Sequence, residues 1–183
     1  MPGDDPRTDE ELVAAANAGD RGALGALYLR HRDWCGAVAL RFTKNRDEAL
    51  DVVQQVFAGF FRQFPGFVLR CKLTTYLYPA VRNAAATRRR AARVRSEATR
   101  QIASTLAESA DVPGPLEHAP LRRAVESLPE GQREVLLMRV VDQMSVLEIA
   151  IALDIPEGTV KSRMSHAIHA LRADASLAEY FRE

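Results

Sequence analysis

Apolar residues recur three and four positions apart along most of the chain, and this spacing most strongly limits its fold. No stretch alternates apolar and polar residues between hairpin turns, so the pattern predicts helices and no strands. Three pairs of residues also have capping-box spacing, in which a Ser or Thr and a Glu three residues later bond free backbone N–H groups. The pairs are Thr8 with Glu11, Ser127 with Glu130, and Ser145 with Glu148. We therefore predict an all-α protein.

Breaks in the periodicity predict two small helical domains joined by a flexible linker. The first domain is expected at 8–95 and the second at 120–175. Between them, at 96–119, the periodicity fades, and a proline- and glycine-rich run at 111–115 (DVPGP) is incompatible with a helix.

The first domain is expected to contain four helices. They start near Thr8, near Arg21, near 46 and near Thr74. Pro79 lies early in the fourth helix, and a start closer to Tyr78 is an alternative, because proline is best tolerated in a first turn.

The helix predicted at about 46–63 has two unlike faces. Its apolar half, which should pack on a core, consists of Ala49, Leu50, Val52, Val53, Val56, Phe57, Phe60 and Phe61. The other half consists of Asp47, Glu48, Asp51, Gln54, Gln55 and Arg62. Packing alone does not explain why this second face is rich in acids and amides.

Charge is segregated along the chain although the net charge is only +1. Residues 1–20 carry six acidic residues and one basic residue, whereas 82–95 carry six arginines and no acid. An arginine block of this kind is typical of a surface that binds a polyanion, and a solvated helix face is the alternative.

The second domain contains a predicted helix-turn-helix. A short helix from Ser145 ends near Leu153, and a second helix runs from Pro156 to about Arg172. The polar face of the second helix shows Gly158, Thr159, Ser162, Ser165, His166 and His169, flanked by Lys161 and Arg163. Small hydroxyls and imidazoles suit base edges, and flanking cations suit phosphates, as in a recognition helix. The alternative is an ordinary helical hairpin with a solvated face.

Several classes of protein are not indicated. No apolar run approaches the roughly 18 residues that span a bilayer, and the acidic start does not suit a signal peptide, so we expect a cytoplasmic protein. Cys35 and Cys71 stand alone, and His166 and His169 lack a third ligand, so no metal or other cofactor is predicted. Without a nucleophile paired to a base or a phosphate-binding glycine loop, no enzyme is predicted.

Short segments in both domains together resemble the extracytoplasmic-function (ECF) sigma factors, the two-domain specificity subunits of bacterial RNA polymerase. Residues 51–57 (DVVQQVF) resemble sigma region 2.2, and residues 76–83 (YLYPAVRN) resemble regions 2.3 to 2.4. Segments at 128–136, 148–150 and 158–163 resemble region 4. The resemblance spans about 10–172.

The resemblance implies partners and residue roles for the first domain. Core RNA polymerase would be bound through its beta-prime clamp coiled coil by Asp47, Asp51, Gln54 and Gln55. The fourth helix and the loop before it would read the minus 10 promoter element as single-stranded DNA, with one base flipped into a loop pocket. The residues expected there are Phe67, Arg70, Tyr76, Arg82, Asn83, Arg88, Arg89 and Arg90.

For the second domain, the resemblance implies binding to the duplex minus 35 element. The expected residues are Thr159, Lys161, Ser162, Arg163, Ser165 and His166. The beta flap of the polymerase and an anti-sigma factor are further partners that the resemblance implies. The leading hypothesis is a transcription initiation factor that directs promoter recognition and melting. A DNA-binding regulator that uses only the helix-turn-helix, and an adaptor that binds RNA or protein, remain the alternatives.

Overall fold

Eight α-helices and no β-strand make up the described part of this computed structural model, which confirms the all-α prediction. The backbone is described for residues 5–100 and 119–177, and side chains for 5–92 and 119–177. The helices are α1 (Asp9–Asn17), α2 (Arg21–Thr43), α3 (Arg46–Phe61), α4 (Leu73–Arg100), α5 (Ala119–Ser127), α6 (Glu130–Val140), α7 (Val146–Leu153) and α8 (Glu157–Ala173). The chain divides into two compact units, Met1–Asp111 and Val112–Glu183.

The first unit is built around α2, which packs against α1, α3 and α4. Short polar side chains cap the starts of α2 and α3. Asp20 caps α2 by accepting from the N–H groups of Gly22 and Ala23, and Lys44 ends that helix in a left-handed conformation. Asn45 then caps α3 by accepting from the Glu48 N–H at 3.0 Å. The turn between α2 and α3 is therefore only two residues long.

An aromatic cluster centred on Phe60 fills the space between α3, α4 and the loop that joins them. The Phe60 ring centroid lies 5.1 Å from that of Phe67 and 6.0 Å from that of Tyr76. Phe64 packs edge-on against Phe60 at 5.3 Å. Aromatic rings contribute large buried areas and prefer such edge-to-face geometry, so this cluster fixes the angle between α3 and α4.

An ion network ties the start of the chain to α2. Asp9 accepts a hydrogen bond from Arg30 at 2.7 Å and lies 2.9 Å from Nε2 of the buried His31. Burial favours a higher pKa for Asp9, but the hydrogen bonds and charges of His31 and Arg30 outweigh it and lower the pKa. At Asp5, hydrogen bonds from Arg7 lower the pKa to about 2. Both carboxylates are therefore held in the charged form.

In the second unit, α8 packs against α6 and α7. Ala124, Leu128, Leu136, Ala167, Leu171 and Leu177 form one buried cluster of this unit. Asp154 ends α7 in the left-handed conformation at φ 52°, which Asp tolerates better than most residues. The structure thus confirms the tight turn predicted between α7 and α8.

Three local expectations are wrong. Ser127 and Glu130 form no capping box, because the Ser127 hydroxyl donates to the Ala124 carbonyl and Pro129 takes the N-cap position of α6. The fourth helix begins at Leu73, within one residue of the expected start near Thr74, so the alternative start near Tyr78 is wrong, and Pro79 lies inside the helix. It also continues to Arg100, so residues 96–100 of the predicted linker are helical. The rest of that linker, 101–118, lies outside the described residues.

Asp9→Asn should destabilise the first unit by about 1–2 kcal/mol at neutral pH, because a neutral amide makes weaker hydrogen bonds to Arg30 and His31. Since folding lowers the Asp9 pKa, its contribution should be present above the ordinary carboxyl pKa and lost as pH falls through the lowered value. Urea unfolding at several pH values measures both effects. Trp34 is the only tryptophan and lies in α2, so its fluorescence reports this unit.

Glu10→Gln is the matched control, since it removes the same charge from the same turn at an exposed position. The network would play no part in stability if both substitutions shifted the neutral-pH midpoint equally.

Candidate nucleic-acid interfaces

The four residues expected to bind the polymerase clamp lie together on the exposed face of α3. Asp47, Asp51, Gln54 and Gln55 are all exposed, whereas the opposite face is buried through Val52, Val53, Val56, Phe57 and Phe60. Leu50 was expected in the core but is 53% exposed, because it lies between Asp47 and Gln54 on the outer side of the helix. The exposed face therefore combines acids and amides with one apolar side chain.

One residue of this face is paired with α4. Arg88 donates to the Asp51 carboxylate at 2.6 Å, and the side chains of Arg88 and Asp51 are 36% and 52% exposed. The Arg88 Nε is buried and has no hydrogen-bond partner within the described residues. The ion pair joins a residue expected to bind polymerase to one expected to bind DNA, so a test of either role must account for it.

The described part of α4 presents a mixed polar and basic surface. Asn83, Arg89 and Arg90 are exposed, and Arg82 is half-buried. The side chains of Arg93 and Arg95, which complete the arginine block, lie outside the described residues. A positive surface thus continues along the helix for two turns after Asn83.

The loop between α3 and α4 is held in place by Asn17, at the end of α1. The Asn17 Oδ1 accepts from the N–H groups of Gly66 at 2.7 Å and Phe67 at 3.2 Å, and its Nδ2 donates to the Phe67 carbonyl at 2.8 Å. Gly66 takes a φ of +110° there, which favours glycine. Nothing local in the sequence predicts a contact between residues 50 positions apart.

Phe67 and Arg70 have opposite surroundings in this loop. The Phe67 side chain is 7% exposed and packs against Phe60 and Tyr76, so we correct its expected role as a surface that stacks on a DNA base. The Phe67 ring instead belongs to the aromatic cluster and holds the loop against α3 and α4. Arg70 is exposed and Tyr76 is half-buried, so both remain accessible to a partner.

A groove of about 450 Å³ lies between α3 and α4. Phe60, Leu77 and Ala84 give it an apolar base, and Gln63 and Asn83 contribute carboxamides to its lining. Gln63 follows the end of α3, and its Oε1 accepts from the Tyr76 hydroxyl at 2.8 Å. Gln63 was not among the expected site residues, because its position past the helix end gives no signal in the sequence.

In the second unit, the residues expected to bind duplex DNA lie on one side of α8. Lys161, Ser162, Ser165 and His166 are exposed, and Thr159 is half-buried. The opposite side is fully buried through Val160 and Ala167. The Ser145 and Glu148 capping box is present at the start of α7, as predicted.

Arg163 is half-buried because its guanidinium lies against α6. A Cβ added to Gly131 would come within 3.2 Å of the Arg163 Nη1, so the glycine leaves the space that this side chain occupies. The contact orients Arg163 along the edge of α8.

The described residues contain no group of three or more potential metal ligands and no helix long and apolar enough to cross a membrane.

Two family models match the chain. Sigma-70 region 2 matches residues 27–95, and Sigma-70 region 4 matches residues 118–171. The ECF RNA polymerase sigma-E factor of Escherichia coli (strain K12) is 30% identical over 178 residues, covering 90% of this chain and 92% of the relative. The chain belongs to the ECF sigma factor family.

Other members of the family are similar over nearly the full length. RNA polymerase sigma-H factor of Pseudomonas aeruginosa is 30% identical and covers 96% of both chains. The ECF sigma factor SigW of Bacillus subtilis is 27% identical and covers 89% of this chain and 94% of its own. This chain is therefore similar to sigma factors of three bacterial species over nearly its whole length.

Two solved structures share the fold, and both are complexes. CnrH bound to the cytosolic domain of CnrY is 25% identical, with a TM-score of 0.66, covering 95% of this chain and 99% of that one. RpoE bound to the anti-sigma factor NepR from Bartonella quintana has a TM-score of 0.60 at 22% identity, covering 82% and 93%. The second likeness shows the fold alone.

Asn17→Ala should free the loop that the amide holds, because it removes three hydrogen bonds to the backbone of Gly66 and Phe67. We expect the amide hydrogens of these two residues to exchange at least about tenfold faster, which corresponds to roughly 1.4 kcal/mol of lost protection. Hydrogen exchange followed by NMR measures this directly.

Asn17→Asp keeps both bonds in which the side chain accepts and loses only the bond in which it donates. Its amide exchange rates at Gly66 and Phe67 should therefore lie between those of the wild type and of Asn17→Ala. Equal exchange in all three proteins would contradict the role of Asn17.

Proposed function

We propose that this ECF sigma factor binds core RNA polymerase through α3, recognises the minus 10 and minus 35 promoter elements through α4 and α8, and promotes DNA melting. The observation that carries the proposal is the presence of two surfaces of unlike charge within one unit, which meet at the Asp51–Arg88 ion pair. An acidic and amide face lies on α3, and a basic surface lies on α4. The chain itself catalyses no reaction in this proposal and requires no cofactor.

The exposed face of α3 suits a basic protein partner. Asp47 and Asp51 supply negative charge, and Gln54 and Gln55 supply neutral donors and acceptors at the same face. Complementary charge across an interface raises the association rate and fixes the register. We assign this face to the beta-prime clamp coiled coil, and we assign the second unit to the beta flap.

The surface of α4 suits single-stranded DNA. Asn83 and the half-buried Tyr76 face the groove, and Arg88, Arg89 and Arg90 follow one to two turns later. Arginines that contact phosphates give sequence-independent affinity, while side chains that reach bases give sequence preference. Arg70 in the loop and Arg82 on α4 belong to the same proposed minus 10 interface.

The outer side of α8 suits a duplex major groove. Thr159, Ser162, Ser165 and His166 offer small polar groups, and Lys161 and Arg163 offer cations at the edges. This is the arrangement by which a recognition helix contacts base edges and phosphates. We assign it to the minus 35 element.

An anti-sigma factor is a further proposed partner. The similar RpoE chain was solved with the anti-sigma factor NepR, and CnrH was solved with the cytosolic domain of CnrY. A regulator that covered the α3 face or the DNA-binding surfaces would block transcription. Because core RNA polymerase is cytoplasmic, we place this protein in the cytoplasm.

Asp51→Arg combined with Gln54→Ala should weaken binding to core RNA polymerase by at least about 30-fold, since reversing a charge at a complementary interface costs several kcal/mol. Affinity for purified core enzyme without DNA, measured by fluorescence anisotropy of labelled protein, checks this. Asp51 also pairs with Arg88, so Arg88→Ala serves as the control that breaks the ion pair without changing the α3 face.

A second control, Asp33→Arg, reverses a charge at a highly exposed position on α2. Unchanged polymerase affinity in Asp51→Arg with Gln54→Ala, together with intact promoter activity, would favour a DNA-binding regulator that uses only the helix-turn-helix.

Arg89→Ala combined with Arg90→Ala should reduce open-complex formation and lower the salt dependence of single-stranded DNA binding. Each phosphate contact adds about 0.7 to the magnitude of the log-log salt slope, so the slope should fall by up to about 1.4. Both positions are exposed, which keeps the fold intact. Permanganate reactivity of the melted promoter, with core polymerase present, measures opening.

Arg21→Ala combined with Arg123→Ala removes the same number of exposed charges elsewhere in the chain. Full melting by the Arg89 and Arg90 variant, or an equal loss in this control, would contradict the role of α4 and favour a protein adaptor.

A further inference from the structure

Arg163 is attached to the core-facing side of α8, although its side chain is only half-buried. It comes three residues after Val160 and four residues before Ala167, and both of these side chains are fully buried. Residues at these spacings lie on one side of a helix. A cation in this position reaches solvent by extending its stem along the apolar surface. The Arg163 guanidinium therefore comes out at the edge of α8, against α6.

The guanidinium of Arg163 covers Gly131, the second residue of α6. A Cβ added to this glycine would lie 3.2 Å from Nη1, 3.3 Å from Cζ and 3.5 Å from Nε of Arg163. Because three atoms of one planar group are at almost equal distances, the plane is presented nearly flat to the glycine. An alanine at this position would push the guanidinium outward by a few tenths of an ångström. A larger side chain would take its place.

The backbone at position 131 does not require glycine. Among the described glycines, Gly19 and Gly66 are the two with positive φ. Gly131 has a conformation within α6 that alanine or leucine adopts more readily, since glycine is the poorest helix former after proline. The property of Gly131 that another helix former would remove is therefore the space that Arg163 occupies.

The guanidinium over Gly131 keeps its capacity to bind an anion. No group within the described ranges 5–92 and 119–177 accepts a hydrogen bond from Arg163. A guanidinium offers five N–H donors in a fixed plane, which suits a phosphate. Because Arg163 comes out at the edge of α8, a duplex on the outer side of that helix would present a backbone phosphate to it, and no base edge.

We infer that Gly131 is a positioning residue for DNA binding, because it holds the Arg163 guanidinium where it meets one phosphate of a duplex on the outer side of α8. The inference rests on the proposed function for the choice of duplex DNA, and it adds to that function a residue outside α8. Gly131 acts only through Arg163. A larger residue at 131 should therefore weaken DNA binding without weakening α6.

Binding of the full chain to a short labelled duplex of mixed sequence, followed by fluorescence anisotropy at several salt concentrations, tests the inference. One phosphate contact adds about 0.9 to the magnitude of the log-log salt slope, so Arg163→Ala should lower the slope by about that amount. Gly131→Leu should lower it by at least about half as much and reduce affinity at least about threefold, with a smaller effect in Gly131→Ala. The arginines of α4 are the same in every variant, so the differences report the second unit.

A double-mutant cycle separates positioning from obstruction of the DNA. In the Arg163→Ala background, Gly131→Leu should cause no further loss of affinity, because its effect passes through the guanidinium. A further loss there would show that the leucine itself blocks the duplex, and the inference would be wrong. The matched control is Gly25→Leu, at an exposed glycine of α2 where an added Cβ meets no atom within 4 Å. It should retain the wild-type slope.

A measurement without DNA tests whether Gly131 holds the guanidinium. The Nε–Hε signal of Arg163 in an NMR spectrum is identified by its absence from Arg163→Ala. Its order parameter should exceed about 0.6 in the wild type and fall below that value, into the flexible range, in Gly131→Leu. Equal order parameters in the two proteins would overturn the inference, as would a salt slope that Arg163→Ala leaves unchanged.

Transcription by the wild type with core polymerase is the separate test of the proposed function. If transcription fails while the salt slope still depends on Gly131 through Arg163, only the proposed function falls. If transcription succeeds while Gly131→Leu keeps the wild-type slope, only the positioning role of Gly131 falls.

Discussion

The packing of α3 on α4 through the Phe60 cluster is the constraint on which the proposed interfaces of the first unit depend. Phe60 contacts the rings of Phe64, Phe67 and Tyr76, so one buried side chain joins a helix, the loop and the next helix. Burying large aromatic rings contributes several kcal/mol and leaves little freedom for rotation. The polar face of α3 and the basic surface of α4 are held in a fixed relation because both helices pack on this cluster.

Apolar packing sets the positions of the helices, and polar contacts then orient the loop and individual side chains. The Asn17 amide fixes the loop backbone at Phe67, the Tyr76 hydroxyl fixes Gln63, and Asp51 pairs with Arg88 between the helices. Each of these contacts joins elements that are distant in sequence. Ion pairs at exposed positions contribute little to stability, so we regard the Asp51–Arg88 pair mainly as a contact that orients two side chains of the proposed interfaces.

Helices and their local caps could be predicted from the sequence because both depend on residues a few positions apart. The capping boxes at Thr8 and Ser145 are present, and the left-handed turn lies at Asp154. The capping box predicted at Ser127 is absent because the Ser127 hydroxyl donates to a carbonyl within its own helix. The contacts of Asn17 and Gln63 could not be predicted, since each partner is brought close only by tertiary packing. The same packing buries Phe67 and leaves Leu50 exposed.

In the proposed function, two partners approach different surfaces of the first unit. The most direct measurement is side-chain footprinting by hydroxyl radicals, first with core polymerase alone and then with promoter DNA added. The account predicts that polymerase alone protects Leu50 on α3 and leaves Tyr76 on α4 reactive, and that DNA then protects Tyr76. Protection of Tyr76 by polymerase alone, with Leu50 remaining fully reactive in the complete complex, would contradict it.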